Sequence, residues 1–322
     1  MHLQNNKINN ILIIKHGSLG DIILSIYPLF SIKNKYKNSR ITVLTESKYI
    51  ELFKCINFVN NIKIDNRPKA INILSLIKLC VWFYRQKFDW VFDLQTSKRT
   101  NIYFFLFSLF SNFKWSGIAK KCSHPHLNKR RINLHTIERQ KEQLELAGIK
   151  THSVVNWNFL KSDINKFCLP DKLFLLIIGG SIHRPEKRWA LSGYKKLIKY
   201  LNKKKITPVI IGGIAEKKYL SNENLLKLKY INLVGKTNYL ELAEIARKSK
   251  YIVGNDTGPM HLVAQCSNDK AKKIILFGSE SNPKLCAPIG KNIFIIKKRK
   301  INNILPEDIM KIIFEKKDRI IN

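Results

Sequence analysis

Residues 11–21 of the 322-residue chain read ILIIKHGSLGD, an apolar run followed by a loop that contains two glycines. The apolar run predicts a buried strand, and the apolar spacing from about Ile22 onward predicts a helix. A strand, a glycine loop and a helix in succession are typical of parallel sheets wrapped by helices. This stretch therefore indicates an α/β fold.

The same alternation of strands and helices continues along the chain. Strands are predicted at residues 11–15, 41–45, 90–93, 173–178, 207–212, 251–254, 273–277 and 293–296. Helical spacing is clear at residues 191–203 and 240–248. The strands are almost continuously apolar, which predicts burial on both faces, as in a parallel sheet. The polar stretch 160–172 predicts a linker, so we expect two α/β domains, residues 1–165 and 166–322.

The composition excludes some classes of protein. Lys and Arg number 58 against 23 Asp and Glu, a formal net charge of +35, and 45% of residues are hydrophobic. So apolar a chain is not a disordered basic tail. The charge indicates an acidic partner, such as nucleic acid, an anionic membrane face or a phosphorylated molecule, or else reflects a Lys-rich composition. The six cysteines form no C-x-x-C pair, which argues against a zinc or redox motif and fits a reducing cytosol.

Two apolar stretches, residues 71–84 and 101–113, are shorter than the ~20 residues that cross a bilayer as a helix. We predict that both are core helices. Membrane contact is the alternative, because basic residues flank each stretch. The N-terminal residues lack the long apolar segment and cleavage site of a signal peptide, so the chain is expected to be soluble or peripheral.

The loop at residues 15–21 is the first candidate for chemistry. Gly17 and Gly20 allow a tight turn and a close approach of ligand to backbone. Asp21 lies near the predicted helix N-terminus, where an aspartate can cap the helix or serve as a general base. The loop matches neither G-x-G-x-x-G nor the P-loop, so it does not predict a dinucleotide or nucleoside-triphosphate site.

Two further loops have the features of an anion site. Residues 254–262, GNDTGPMHL, follow a predicted strand and enter a helix whose first amides are suited to a diphosphate. Residues 179–189, GGSIHRPEKRW, combine glycines, the Ser181 hydroxyl and the cations Lys187 and Arg188. Glu216 follows another strand, where a carboxylate commonly accepts hydrogen bonds from a ribose. With no cluster of metal-ligating residues at suitable spacing, no metal is expected.

These motifs together resemble the bacterial ADP-heptose:lipopolysaccharide heptosyltransferases of glycosyltransferase family 9. The most specific segment is residues 235–265, GKTNYLELAEIARKSKYIVGNDTGPMHLVAQ, and IKHGSLGDIILSIYPL, FDLQTSKRT, PEKRWALSGY and FGSESNP support it. The resemblance covers nearly the whole chain. It implies the GT-B fold, in which two Rossmann-like parallel-sheet domains face a central cleft, with the acceptor on the N-terminal domain and the nucleotide-sugar on the C-terminal one.

The resemblance also implies roles for particular residues. Asp21 matches the proposed base, which would deprotonate the acceptor hydroxyl during a displacement with inversion and without a metal. Lys187 matches the diphosphate-binding lysine, and the amides around Thr257 and Gly258 would bind the same phosphates.

The remaining matches concern the two sugars and the nucleoside. Glu216 aligns with the carboxylate that binds the adenosine ribose, and Asp256 with the acid that contacts the donor sugar. His261 matches a histidine near the same site. Lys98 and Arg99 lie where basic residues on the acceptor side are found.

The resemblance implies transfer of heptose from ADP-heptose to the lipopolysaccharide inner core. The enzyme would need no cofactor and would meet an anionic glycolipid acceptor at the cytoplasmic face of the inner membrane. Glu280 replaces a small hydroxyl residue near the donor phosphates, so another nucleotide-sugar and a surface glycan form an alternative. A nucleic-acid-binding protein with a degenerate transferase fold is a third hypothesis, which rests on charge alone because no RNA-recognition motif is present.

Overall fold

The computed structural model describes residues 8–67, 72–151, 154–180, 184–221 and 228–314. The chain forms two compact units, residues 1–159 and 160–322. Each unit has its own parallel sheet and its own apolar core, and each is described separately below.

Among its described residues, the first unit contains six strands and five α-helices. The strands are β1 (Asn10–Ile14), β2 (Arg40–Thr45), β3 (Val59–Ile64), β4 (Trp90–Asp93), β5 (Lys114–Gly117) and β6 (His124–Pro125). The helices are α1 (Leu19–Lys35), α2 (Ile50–Lys54), α3 (Ile73–Gln86), α4 (Lys98–Ser108) and α5 (Thr136–Leu146). All neighbouring strands are parallel, in the order β3-β2-β1-β4-β5-β6.

The second unit repeats this plan. Its strands are β7 (Leu173–Ile177), β8 (Val209–Ile211), β9 (Ile231–Asn232), β10 (Ser249–Asn255), β11 (Lys272–Phe277) and β12 (Ile293–Lys297). Its helices are α6 (Leu191–Lys203), α7 (Ile214–Ser221), α8 (Tyr239–Lys248), α9 (Gly258–Cys266), α10 (Pro283–Cys286) and α11 (Pro306–Phe314). The parallel order is β12-β11-β10-β7-β8-β9.

Both sheets have the strand order of a Rossmann fold. Numbered within its own unit, each sheet reads 3-2-1-4-5-6 from one edge to the other. The order reverses between β1 and β4 in the first unit and between β7 and β10 in the second. Ligands of such sheets bind beyond the carboxyl ends of the strands at that reversal. The loops after these four strands are therefore where a site is expected.

The eight predicted strands are confirmed, as are the helices predicted at 191–203 and 240–248. Apolar residues at helical spacing explain the burial of α6, which packs Leu191, Tyr194, Leu197, Ile198 and Leu201 into the second core. Helix α1 begins at Leu19, three residues before the predicted start, because Ser18 caps it.

Helices α3 and α4 form most of the two apolar stretches, but the prediction that both belong to the core is only half right. In α3, Leu79 and Phe83 are buried, and in α4 Tyr103 and Phe107 are buried, with the rings of Phe83 and Phe107 stacked 3.9 Å apart. The other face of each helix exposes large apolar side chains. In the described part of the chain, no helix is long and apolar enough to cross a membrane.

Candidate functional site

The loop between β1 and α1 positions Asp21 by a reciprocal capping box. Ser18 is the N-cap, and Asp21 Oδ2 accepts hydrogen bonds from the Ser18 amide at 3.1 Å and the Ser18 hydroxyl at 2.7 Å. The Asp21 amide donates back to Ser18 Oγ at 3.4 Å. Asp21 therefore takes part in capping as the N3 residue of the box, while the N-cap itself is Ser18. Oδ1 of Asp21 has no hydrogen-bond partner among the described residues, so one carboxylate oxygen is left for another task.

The backbone of this loop is fixed by side chains from neighbouring strand ends. Gly17 has φ +112°, which an L-residue rarely adopts, and an added Cβ would lie 3.1 Å from Asp21 Oδ2. Glu46 accepts a hydrogen bond from the Gly17 amide, and the Tyr49 hydroxyl donates to the Gly17 carbonyl. Gln95, after β4, accepts from the His16 amide. The loop that carries Asp21 is thus attached to the segments that follow β2 and β4.

A chain of polar contacts connects the same loop to α4. His16 is fully buried, with Nε2 3.2 Å from Asp65 Oδ2. Asp65 also accepts from the Tyr103 hydroxyl, which accepts in turn from Arg99 Nε, both at 2.7 Å. Burial acts to raise the pKa of Asp65, but the His16 imidazole beside it and the hydrogen bond from the Tyr103 hydroxyl lower it to about 2. Arg99 therefore fixes the Tyr103 hydroxyl, in addition to being a candidate for binding the acceptor substrate. Lys98 is exposed at the first turn of α4.

A buried carboxylate lies at the end of β4. Asp93 Oδ1 accepts hydrogen bonds from the amides of Gln95 and Thr96, and burial raises its pKa to about 6. The buried Lys15 ammonium acts on Asp93 in the opposite direction and is itself influenced by Asp21. Arg131, from the basic run 129–131, donates to Thr96 Oγ1 at 3.1 Å. Cationic groups therefore approach the carboxyl end of β4 from two directions.

In the second unit, three predicted residues form one cluster at the end of β10. Lys187 Nζ donates to Asp256 Oδ2 at 3.1 Å, and His261 Nε2 lies 3.8 Å from Asp256 Oδ1. Burial acts to raise the pKa of Asp256, but His261, Lys187 and the Ser281 hydroxyl outweigh it and hold the pKa below its usual value. Asp256 is therefore an ionised carboxylate with a cation beside it.

Helix α9 begins next to this cluster. Thr257 is its N-cap, but no side-chain cap bond is formed, and the buried Thr257 Oγ1 has no partner among the described residues. Gly258 opens the helix and Pro259, which has no amide N–H, follows it. The buried Nδ1 of His261 likewise lacks a partner within the described part of the chain. A hydroxyl, an imidazole nitrogen and the positive end of a helix dipole thus meet at one place.

Glu216 lies in the first turn of α7, after β8, and is held there by groups from two loops. Its Oε2 accepts from the Gly213 amide at 2.8 Å, and its Oε1 lies 3.2 Å from the guanidinium of Arg188. Arg188 also donates to the Gly180 carbonyl at 2.7 Å. A Cβ on Gly179 would lie 3.6 Å from the Glu216 carboxyl carbon, so the two loops meet closely. Ser181, predicted to bind phosphate, lies outside the described residues.

Asn255 is a structural residue of the site that the sequence did not single out. It is fully buried, and its Oδ1 accepts from the Trp189 amide at 3.1 Å and the Tyr194 hydroxyl at 3.3 Å. Its Nδ2 donates to the Gly179 carbonyl at 3.0 Å. Asn255 thereby joins the end of β10 to the loop that carries Lys187 and Arg188. Its position before Asp256 at a strand end was the available signal.

Two remaining observations bear on the chemistry. Within the described ranges, no group of three or more His, Cys, Asp or Glu side chains is placed to bind a metal ion. Glu280, which departs from the family pattern, is exposed, and its contact is with the hydroxyl of its neighbour Ser279 at 3.4 Å.

A model of the family described as glycosyltransferase family 9 (heptosyltransferase) matches residues 84–311, which is more than two thirds of the chain. The chain belongs to this family. The match spans β4 in the first unit and reaches α11 in the second, so it includes the Lys187, Glu216 and Asp256 loops. The loop of Asp21 precedes it.

Individual relatives agree with this assignment. Lipooligosaccharide heptosyltransferase 2 of Haemophilus ducreyi (strain 35000HP / ATCC 700724) is 28% identical over 123 residues, which are 37% of this chain and 35% of that protein. The aligned region is thus about a third of the relative's length.

Solved structures show the fold. The glycosyl transferase family 9 protein from Veillonella parvula DSM 2008 is 19% identical, with a TM-score of 0.79 over 97% of each chain. E. coli ADP-heptose lps heptosyltransferase II gives a TM-score of 0.73 at 19% identity, covering 94% of this chain and 97% of that one. E. coli heptosyltransferase WaaC with ADP gives a TM-score of 0.75 at 17% identity, and the match covers 94% of this chain and 98% of that one. The predicted α/β fold of the GT-B type is therefore confirmed.

Proposed function

We propose that the chain is an inverting, metal-independent heptosyltransferase that transfers heptose from ADP-heptose to the inner core of lipopolysaccharide. The observation that carries this proposal is the placement of the candidate residues. A carboxylate follows β1 at the strand-order reversal of the first unit. A cation, a carboxylate and a helix N-terminus lie together at the reversal of the second unit. This set suits a transferase that needs one base and a site for a diphosphate.

The second unit, with residues 166–322 as its proposed domain, would bind the nucleotide-sugar. The Lys187 ammonium donates one hydrogen bond to Asp256, and its two other N–H groups can donate to phosphate oxygens. The amides at the start of α9 and the hydroxyls of Thr257 and Ser181 would complete the diphosphate site. The structure of E. coli WaaC with ADP-2-deoxy-2-fluoro heptose supports this choice of donor by family relationship.

The other donor contacts follow from the same geometry. Glu216, fixed by Arg188 and the Gly213 amide, would accept hydrogen bonds from the adenosine ribose. Asp256 would contact the donor sugar, and His261 would lie beside the same sugar or its phosphates. Because the leaving diphosphate gains negative charge, Lys187 and the α9 dipole would stabilise the transition state more than the ground state.

Asp21 would act as the general base. Its Oδ1 would take the proton of the acceptor hydroxyl as that oxygen forms a bond to the anomeric carbon and the bond to the diphosphate breaks. One displacement of this kind inverts the anomeric configuration and requires neither a covalent intermediate nor a metal. The capping box would fix the other oxygen, so that the reacting oxygen has a defined direction.

The first unit, with residues 1–165 as its proposed domain, would bind the acceptor, an anionic glycolipid. Lys98 and Arg99 begin α4 and would interact with acidic groups of this acceptor. An acceptor anchored in the inner membrane requires the enzyme to work at the cytoplasmic face of that membrane, as a peripheral protein. The net charge of +35 supports such an association.

The direct test is release of ADP from ADP-heptose with a panel of truncated inner-core acceptors, with the anomeric configuration of the product determined by NMR. We expect turnover that depends on acceptor, persists with a chelator present and gives the inverted product. If turnover occurred only with another nucleotide-sugar, that nucleotide-sugar and not ADP-heptose would be the donor. Salt-sensitive RNA binding without ADP binding would overturn the enzyme assignment altogether.

A further inference from the structure

Helix α3 carries an exposed apolar stripe. Ile73, Leu74, Ile77, Val81 and Tyr84 are all large apolar residues that are 44% to 69% exposed. At about 100° per residue they fall within an arc of about 100° on the helix surface. The buried residues Leu79 and Phe83 lie on the other side, against the first core. An amphipathic helix in a soluble protein normally directs its apolar stripe inward, whereas α3 has one apolar face in each direction.

Helix α4, which stacks on α3 through Phe107 and Phe83, has the same property. Ile102, Phe105, Leu109 and Phe110, in α4 and just after it, are 40% to 72% exposed. Together with the α3 stripe this gives nine exposed large apolar residues between positions 73 and 110. Nineteen such residues occur in the described part of the chain, so almost half of them lie on these two neighbouring helices or directly after α4. We call these nine side chains the docking face.

The segment of sequence that carries the docking face is strongly basic. From position 66 to 137 the sequence has 13 Lys and Arg but only two acidic residues, Asp89 and Asp93. Asp89 accepts hydrogen bonds from the amides of Asn9 and Asn10, and Asp93 is fully buried. Lys78 and Arg85 are exposed on α3 itself, beside the apolar stripe. The complement of this surface is therefore apolar and negatively charged.

We propose that the docking face binds an anionic lipid bilayer, with α3 and α4 lying in the plane of the headgroups. An apolar stripe with basic residues beside it suits a helix at the membrane interface. A second copy of the chain would bring two basic surfaces together, so charge complementarity favours lipid over a homodimer. The proposal rests on the function proposed above and deepens it, because it names the surface that would bring the acceptor-binding unit to its lipid-linked substrate.

The experiment measures binding of the full-length protein to vesicles by co-sedimentation. The vesicles consist of phosphatidylcholine alone or with about a third phosphatidylglycerol, at about 0.1 M salt. The test variant is Leu74→Glu/Ile77→Glu, which places charge in the stripe. The control is Leu146→Glu/Leu305→Glu, which adds the same charge at two leucines that are each 55% exposed and lie elsewhere. Thermal melting checks that both variants fold.

We expect the wild-type chain and the control to bind anionic vesicles, and the test variant to bind about tenfold more weakly or worse. A second variant, Lys78→Gln/Arg85→Gln, should lose affinity for anionic vesicles with little change for neutral ones. Turnover of a lipid-free, water-soluble acceptor should be the same in all of them. Vesicle binding does not require catalysis, so the docking face is tested even where ADP-heptose proves not to be the donor.

Three results would overturn the proposal. The first is equal vesicle binding by the test variant and the wild type. The second is wild-type binding that does not distinguish anionic from neutral vesicles. The third is a wild-type dimer, seen by sedimentation velocity, that the test variant converts to a monomer while neither form binds vesicles. That last result would identify the docking face as an interface between copies of the chain.

Discussion

Substitutions can separate the capping contact of Asp21 from its proposed role as general base, because capping needs a hydrogen-bond acceptor whereas general-base catalysis needs a group that takes up a proton. Three variants make the distinction. Asp21→Asn keeps a side-chain oxygen that can accept from Ser18 but removes the base. Asp21→Ala removes both roles. Ser18→Ala removes the N-cap hydroxyl and leaves the carboxylate in place.

The magnitudes expected for the two roles do not overlap. Loss of an N-cap side chain costs about 1 kcal/mol of stability, which is about 2–4 °C in Tm for a unit of this size. Ser18→Ala and Asp21→Ala should each lose about this much, while Asp21→Asn should lose less because two acceptor contacts at 3.1 and 2.7 Å can be retained. Removal of a general base lowers kcat by about 10²–10⁴, equivalent to about 3–5 kcal/mol in the activation barrier.

The assay is acceptor-dependent ADP release, measured beside thermal melting for the same preparations. We expect Asp21→Asn to melt close to the wild type and to lose at least about a hundredfold in kcat. Ser18→Ala should melt lower and keep most of its activity. The reasoning is refuted by an Asp21→Asn variant with wild-type turnover, because the carboxylate would then be a helix cap and nothing more.

Three further predictions concern Lys187 and Asn255 in the second unit and Asp65 in the first. Lys187→Gln should weaken ADP binding about tenfold to a hundredfold in calorimetry through loss of a charged donor, while Lys196→Gln on the exposed face of α6 should not. Asn255→Ala should lower Tm by several degrees, since it leaves the buried Trp189 amide without its acceptor; an unchanged Tm would contradict this. Asp65 has a pKa of about 2 in the folded chain, against 3.8 in the unfolded chain. Its ionised form therefore adds about 2 kcal/mol to the free energy of unfolding above pH ~4, and this contribution is lost as the pH falls through about 2. In urea unfolding, the free energy of unfolding of Asp65→Asn should therefore be lower than that of the wild type at neutral pH, and the two values should converge in acid.

Seven of the eight strands that the sequence predicted lie inside a sheet, and the eighth, β12, is a partly exposed edge strand that has an apolar run. β1, β7 and β11 are apolar on both faces, and a run of aliphatic residues is sufficient to identify them. β3 was not predicted, because its sequence VNNIKI is partly exposed at the edge of the sheet and has no continuous apolar run. β9, with two residues, is too short for any periodicity. Edge strands are defined by pairing with a neighbour, which is a tertiary property.

The same division applies to the candidate site. Asp21, Lys187, Glu216 and Asp256 could be named in advance because glycines and strand ends mark their loops. The distant contacts that fix the backbone of these loops could not be named, because a local pattern does not show which remote segments pack against it. Glu46 binds the Gly17 amide from 29 positions away, and Asn255 accepts from the Trp189 amide across 66 positions. A local motif identifies a candidate residue, whereas its orientation depends on contacts that only the folded chain brings together.

Apolar periodicity has a similar limit, and α3 illustrates it. A stripe at helical spacing predicts that the helix buries one face, but the pattern does not state whether the neighbour is protein or lipid. In α3 the side that carries Leu79 and Phe83 packs into the core, while the stripe from Ile73 to Tyr84 is exposed among basic residues. Packing in the core and contact with a membrane, the two alternatives for residues 71–84, therefore do not exclude one another. A short helix can stabilise the first unit through one face and bind a bilayer through the other, and this arrangement requires no membrane-spanning segment.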